Sequence, residues 1–487
     1  MITASSGWHS LIWDWPNGKP ARGLTLKQQM ATIAEQLAAF AEDLTYGAVP
    51  ESVRRRAKHL ILDATGIALA STTYDFAHKT VNALTAFGAG DSHVIGFPIR
   101  LPLRDAVLAN GVLIHGLDFD DTHLLGAVHP TSGCLATALG VAAHAGKSGK
   151  DMLTAYILGM EVAARLGTVA RGEFQQVGFH PTGVIAAFAC ALIAGKLYEL
   201  GRTRLTMAQG IALSMASGVR EYSTDASWTK RLHPGWAGVA GISAAVLASG
   251  GFTGPRTAYE GRFGLYASHL HAGIESADLA AATRELGSTW ETLQVAIKPF
   301  PVGHLNVSFI DAAIALSSEH RIRPGDIASI ETLVPPHAVK IVCEPVEQRK
   351  RPASSYAAQF SIQYAVACAL IHRKFGLAEL ERYHDPEILA LADKVSYRLD
   401  PDTGYPKSWS GEVIVILNNG KRLAHREQIN RGAADNPLSE ADIVGKFTDN
   451  AQMAVSRARA EAIRDVILGL DQQDHAQGVA QTLSLAG

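Results

Sequence analysis

His115-Gly-Leu-Asp-Phe-Asp-Asp-Thr-His123, running on to Val128-His129-Pro130-Thr131-Ser132-Gly133, joins two apolar segments of helical spacing, Asp105–Ile114 and Cys134–His144. Three carboxylates, three histidines and three hydroxyl-bearing residues crowd this junction. Desolvating so many polar groups is costly unless they are paired or used. Two readings stand on the stretch alone. It is either a solvated loop that caps the next helix through Thr131 or Ser132, or a functional cluster seated between buried helices.

Working outward, helical patterning dominates from Thr25 onward, with apolar residues three and four apart over Gln28–Leu44 and Pro50–Thr72. Asp91–Phe97 reads as a short extended piece, and Asp151–Gly172 as a long amphipathic helix. Thr182–Leu200 is apolar nearly all round, the mark of a central helix. Thr206–Val219 and Ala237–Ser249 repeat its small-residue style, which gives eight to ten helices before residue 285. Residues 1–24, with three tryptophans and no clear period, read as an irregular arm.

Around Trp290 the grain changes. Thr292–Ile297, Ile327–Val334, Val395–Asp400 and Glu412–Asn418 read as extended, the last turning through Asn418–Lys421 into Arg422–Gln428. Val302–Glu319, Ser354–His372 and Leu377–Lys394 read as helices. After the capping sequence Leu438–Asp442 the helical style returns for Ile443–Asn450 and Met453–Leu470. The expected architecture is mainly α: an all-helical domain from residues 25–288 and 431–487, with a smaller α+β domain inserted at 289–430. A cleft between two such domains is a common ligand site.

The totals set bounds. A chain of 487 residues and formal net charge −2 has no charge run to capture nucleic acid or an anionic membrane. Its four cysteines are scattered with no C-x-x-C pair, which fits buried thiols in a reducing compartment. No export signal is legible at the N-terminus, and the longest apolar run, Gly183–Gly195, is short for a bilayer. The expectation is a cytoplasmic protein.

Three further polar islands precede helices. Gly178-Phe-His-Pro-Thr-Gly183 offers His180 as a cap or an acid–base group. Trp228-Thr-Lys-Arg-Leu-His-Pro-Gly235 offers Lys230 and Arg231 as a carboxylate clamp, or as a solvated basic turn. Lys298-Pro-Phe-Pro-Val-Gly-His304 opens the inserted domain with a lysine that, alone, reads as a loop residue. Together the islands fit a substrate with two or three carboxylates, which needs cations and helix N-termini converging from separate regions. Asp118, Asp120 and Asp121 would then orient histidines and hold a lysine charged. A Mg²⁺ site on these three acids lacks the second acidic motif such sites use, so no metal is expected.

At these islands the sequence resembles the MmgE/PrpD family. The matching stretches are LDFDDTH (117–123), VHPTSG (128–133), GFHPTG (178–183), TKRLHPGWAG (229–238), GFTGPRTAYEGRFGLY (251–266), KPFPVGH (298–304) and AQFSIQYAVA (358–367). The resemblance implies a large helical domain with an α+β lid, a homodimer, and no metal or organic cofactor. It implies a lyase on a small polycarboxylate, first a citrate or 2-methylcitrate dehydratase, then an epimerase of an iminodisuccinate-like acid, then a cis-aconitate decarboxylase. A non-catalytic carboxylate-binding homologue is the rival from another class.

Carried over by motif, Lys230 and Lys298 would bind carboxylates, His129 and His180 would move protons, and Asp118 would set their charge and orientation. Tyr364 would hydrogen-bond ligand or lid, although its spacing alone reads as a core aromatic. Thr122, Arg231, His233 and His304 are assigned to substrate binding. Val307 stands where many members carry histidine.

Overall fold

The most apolar stretch of the chain forms its central helix. Pro181–Leu197 starts on a proline, whose fixed φ suits the first helical turn, and nearly every residue in it is buried. A helix that is apolar all round has no face to offer water. Helices Pro130–His144, Gly149–Ala170, Arg202–Leu213 and Thr229–Ser249 pack against it.

Small residues set how closely these helices approach. A Cβ on Gly241 would stand 2.5 Å from the Cys190 Cβ of the central helix. One on Gly235 would stand 2.3 Å from the Leu108 carbonyl oxygen, in helix Leu103–His115. Any side chain at either crossing would push the helices apart and forfeit the close packing behind the site.

The computed structural model describes residues 31–225, 227–405 and 408–485. The arm expected over residues 1–24 lies outside them. Of the described residues 60% are helical and 9% in strands, a mainly helical fold, and twelve α-helical segments among them, short ones included, precede residue 285. Apolar side chains gather in two large cores. One draws on helices from Ile33 to Leu270 and again from Leu438 to Leu483; the other runs from Phe300 to Leu423. All four cysteines are buried and unbridged. Among the described residues one helix, Gly149–Ala170, is long and apolar enough to cross a membrane, and 94% of its apolar window is buried inside the protein.

The second core lies under a four-stranded sheet in the order Val395–Leu399, Ile327–Val334, Gly411–Leu417, Arg422–Glu427. The first pair is parallel and the others antiparallel. The hairpin turns where expected, with Gly420 at φ +82, a left-handed angle that costs glycine little. The capping sequence near Leu438 also acts as read: the Ser439 hydroxyl accepts from the Asp442 N–H at 3.1 Å, and the Asp442 carboxylate accepts from the Ser439 N–H at 3.1 Å.

Several expected elements are broken or shifted. Ser354–His372 is two helices, Ser355–Ala358 and Ile362–His372, because the Ser361 hydroxyl accepts from the Tyr364 N–H and starts a new N-terminus. Leu377–Lys394 likewise splits into Leu377–Leu380 and Pro386–Ala392, as Pro386 lacks the N–H needed to continue. Thr292–Ile297 is extended only at Val295–Ala296, which pairs with Thr122–His123. The helix expected over Thr206–Val219 stops at Leu213. Beyond it the backbone is used otherwise: His180 N–H donates to the Gly218 carbonyl and Arg220 N–H to that of Gly178, each at 2.8 Å.

Candidate active site

The Asp-Phe-Asp-Asp loop is pinned from both sides. Helix Leu103–His115 ends into it, and Asp118 takes a left-handed turn at φ +51, a conformation aspartate tolerates better than most residues. Downstream, Thr122 and His123 pair with Ala296 and Val295. Gln359 closes the third side, donating to the Leu117 carbonyl at 2.8 Å. The loop is thus held by segments far apart in sequence, one of them, Val295–Ala296, just ahead of Lys298.

Within that frame Asp118 receives two ammoniums. Lys298 Nζ donates to the Asp118 carboxylate at 3.1 Å and to the Asp118 backbone carbonyl at 2.6 Å, while Lys230 Nζ donates to the other carboxylate oxygen. Lys298 is 2% exposed and Asp118 5%. Burial pushes the Asp118 carboxyl up, but Lys230 and then Lys298 outweigh it and hold the group well below the usual range. For Lys230, burial pushes down, but Asp118 together with Tyr356 and Tyr222 outweighs it, so the ammonium stays charged.

Imidazoles line the other side. His129 Nδ1 donates to the Asp121 carbonyl at 2.8 Å, beside the Thr122 hydroxyl at 3.2 Å, which leaves Nε2 turned toward Asp118 at 4.0 Å. The His129 N–H donates to the Thr182 hydroxyl at 3.1 Å, tying the first island to the second. Burial, against the pull of Asp120 and with the push of Lys298, brings His129 down to about 3. Burial and then Lys230 hold His180 well below its ordinary value. Both rings are neutral at pH 7, the form that accepts a proton.

His115 and Asp120 complete the cluster; orienting a histidine is the role expected of Asp120, whereas His115 has no site role in the sequence. His115 Nδ1 donates to Asp120 at 2.8 Å, and its ring stacks on His180 with centroids 5.6 Å apart. The available signal was their spacing across a helix end; the apolar run before His115 disguised it as the last core residue of a helix. Tyr222 and Tyr356 also face the cluster, Tyr222 edge-on to His180 and Tyr356 beside Lys230 and Arg231. Neither lies in a conspicuous motif.

The structure gathers Asp118, Thr122, His129, His180, Lys230 and Lys298 into one buried group. His233 joins through His180, their Nδ1 atoms 3.0 Å apart. Arg231 donates to the Gly116 carbonyl at 2.7 Å and lies over the Phe76 ring, so it clamps the loop. His304 is held by Asn430 at 2.6 Å and, by burial and then nearby Lys298, stays neutral at about 3. Tyr364 is not brought to the lysines. Its hydroxyl donates to the Glu379 carbonyl at 2.7 Å inside the second core, the place its helical spacing alone indicates. Val307 is likewise buried there.

The three acids diverge into separate partnerships. Asp118 goes to the lysines, Asp120 to His115, and Asp121 to the Thr131 hydroxyl, at 2.5 Å. Among the described residues one group, His115, Asp120 and His129, brings possible ligand atoms within 4.8 Å of one another. Nδ1 of each of these histidines is already engaged with an oxygen, and a cation there would also face two buried ammoniums.

Asp121 yields a stability prediction. Burial, then Asp120, raises its carboxyl to about 8, above the unfolded value of about 3.9. The folded protein therefore holds a proton that the unfolded chain releases. The stability from this group is full below about pH 4 and falls as pH rises toward about 8. Asp121→Asn removes that decline. Urea unfolding at pH 6 and pH 9 should show the variant gaining on the wild type by on the order of 2 kcal/mol, whereas a constant gap contradicts the assignment.

Comparison with known proteins finds two family domains along the chain, the second of which runs past residue 430 into helices Glu440–Ala451 and Arg457–Leu468. Residues 35–276 match the MmgE/PrpD N-terminal domain, and residues 300–472 match the MmgE/PrpD C-terminal domain. The chain is 30% identical over 462 residues to the cis-aconitate decarboxylase of Homo sapiens, covering 91% of this chain and 92% of the relative. Identity to the enzyme of that name from Mus musculus is 28% over 458 residues, 91% of each chain. For Aspergillus terreus it is 27% over 466 residues, 90% of this chain and 93% of the relative.

Proposed function

This chain belongs to the MmgE/PrpD family, and from that premise we propose that it is a lyase acting on a small polycarboxylate, without an organic cofactor, by moving a proton at a carbon next to a carboxylate. One observation carries the reading: two buried ammoniums meet on the single carboxylate of Asp118, ringed by neutral imidazoles. A substrate carboxylate entering there meets Lys230 and Lys298 as Asp118 does. The lysines lower the cost of negative charge spreading from the reacting carbon into that carboxylate. His129 and His180 take or deliver the proton.

Decarboxylation of a cis-aconitate-type acid is the reading that the relatives favour. Carbon dioxide leaves, the bonding pair stays on the carbon, and an imidazole N–H protonates it. Dehydration of a citrate or 2-methylcitrate type, placed first by the sequence, is the second reading. It needs a base at carbon and an acid at the departing hydroxyl, and two imidazoles with centroids 6.3 Å apart can divide those tasks.

The test is an NMR assay in D₂O against cis-aconitate, citrate, 2-methylcitrate and iminodisuccinate. Loss of CO₂ with one deuterium retained supports the first reading. Loss of water supports the second, deuterium exchange without either indicates an epimerase, and inertness toward all four contradicts the lyase.

We propose further that residues 289–430 close over the site as a lid. Lys298 and Gln359 support this, since both reach across to the Asp118 loop. Saturation with the acid that turns over should slow proteolysis within 289–430, and an unchanged cleavage rate contradicts closure.

A further inference from the structure

We propose, resting on the acid–base reading above, that His233 is a positioning residue which passes a proton between solvent and His180 through their facing Nδ1 atoms. The contact is direct, at 3.0 Å, with the rings 5.2 Å apart and inclined at 45°. It is also held in place. A Cβ on Gly183 would stand 2.9 Å from the His233 Cβ, and one on Gly218 would stand 3.3 Å from its Nδ1. Tyr222 lies edge-on to both rings. His180 is 3% exposed and His233 9%, so His233 is the less enclosed of the two.

Two Nδ1 atoms at that distance are satisfied only when one carries a proton and the other a lone pair. The neighbours decide which charge states are open. Burial first, then Lys230, His115, His233 and His129, work against a cation on His180; burial, then His115 and Lys230, bring His233 down to about 4. Asp118, the carboxylate nearest Lys230, is already taken up by the lysines. Both imidazoles are therefore neutral at pH 7. A neutral imidazole alone serves as a base, but giving up its only proton would leave an imidazolate.

The pair removes that obstacle. With the proton of His180 on Nε2 and that of His233 on Nδ1, the His180 Nε2–H bond breaks as the new bond to substrate forms. The His233 Nδ1 proton crosses to His180 Nδ1, and His233 Nε2 takes a proton from water. Both rings end neutral with their tautomers reversed, and solvent has supplied one proton. After product leaves, water protonates His180 Nε2 and the excess proton returns outward through His233. Run in the opposite sense, the same path lets His180 act as a base.

His233→Gln and His233→Ala test this in the full chain. Gln keeps a hydrogen-bonding group against His180 but cannot tautomerise. Both variants should lose about 100-fold or more in kcat with KM within about threefold of wild type. Imidazole added to His233→Ala should restore kcat about tenfold or more. A His233→Gln enzyme with wild-type kcat overturns the relay, as does a His233→Ala enzyme that imidazole does not restore. A second readout needs no turnover: ¹⁵N spectra of the histidine-labelled, ligand-free protein should show the two Nδ1 atoms coupled across a shared proton, with both tautomers in exchange at pH 7. One frozen tautomer, or no coupling, overturns it. Wild type inert toward every acid while the exchange is present would sink the lyase reading and leave the relay standing.

Discussion

Lys298→Ala should reduce kcat/KM on the acid that turns over by about 10³-fold or more, with Lys230→Ala close behind. Removing one positioned donor to developing negative charge typically costs about 10²–10³, and here a full ammonium is lost from a buried position. Lys298 has no solvent-facing alternative, since its Nζ is spent on the carbonyl and carboxylate of Asp118. Lys298→Met keeps the apolar stem without the charge and should be as inactive as the alanine variant. Steady-state kinetics alongside thermal melts separate this from misfolding. A Lys298→Met enzyme that melts normally and turns over normally would contradict the role.

Asp118→Ala should have the largest effect on stability. It leaves two buried ammoniums facing each other without a counter-charge, and breaking a buried pair by removing one partner costs about 3–5 kcal/mol. The pH dependence has a definite sign. The folded pKa of Asp118 lies below its unfolded value, so its contribution is fully present above about pH 4 and lost as pH falls through the folded value. The gap between wild type and variant in urea unfolding should therefore be large at pH 7 and narrow in acid. A tricarboxylate should raise the melting temperature of Asp118→Ala more than that of wild type, because it supplies the missing carboxylate. A variant as stable as wild type at pH 7, with the same acid limb, would contradict the pairing.

Much of this was legible in the sequence because local chemistry and tertiary use agree there. Pro130 and Pro181 head helices, and each is preceded by a histidine that the helix start holds in place. The Ser439–Asp442 capping box and the Asn418–Lys421 turn needed only neighbours within three residues. The convergence of cations and histidines, with an acid holding a lysine charged, came from reading four polar islands together, since each lysine alone resembles a loop residue; that Lys230 and Lys298 both meet on Asp118 emerges only in the structure.

What stayed hidden depends on contacts that no period reports. Ser361 and Pro386 interrupt runs whose apolar spacing continues past them, so spacing alone joined what capping divides. His115 closes an apolar helix, and its partner Asp120 is reached only because Asp118 turns left-handed between them. Tyr364 and Tyr356 sit eight residues apart across the Ser361 break; Tyr364 turns into the second core, while Tyr356 lies beside Lys230.

The central claim is that Lys230 and Lys298 form a receptor for a substrate carboxylate, and calorimetry with an unreactive tricarboxylate such as tricarballylate tests it without requiring turnover. Wild type should bind, more weakly as salt is raised, and Lys298→Met should bind about tenfold or more weakly, the loss of one charge-assisted contact. No binding to wild type, or equal binding to the folded variant, would contradict it.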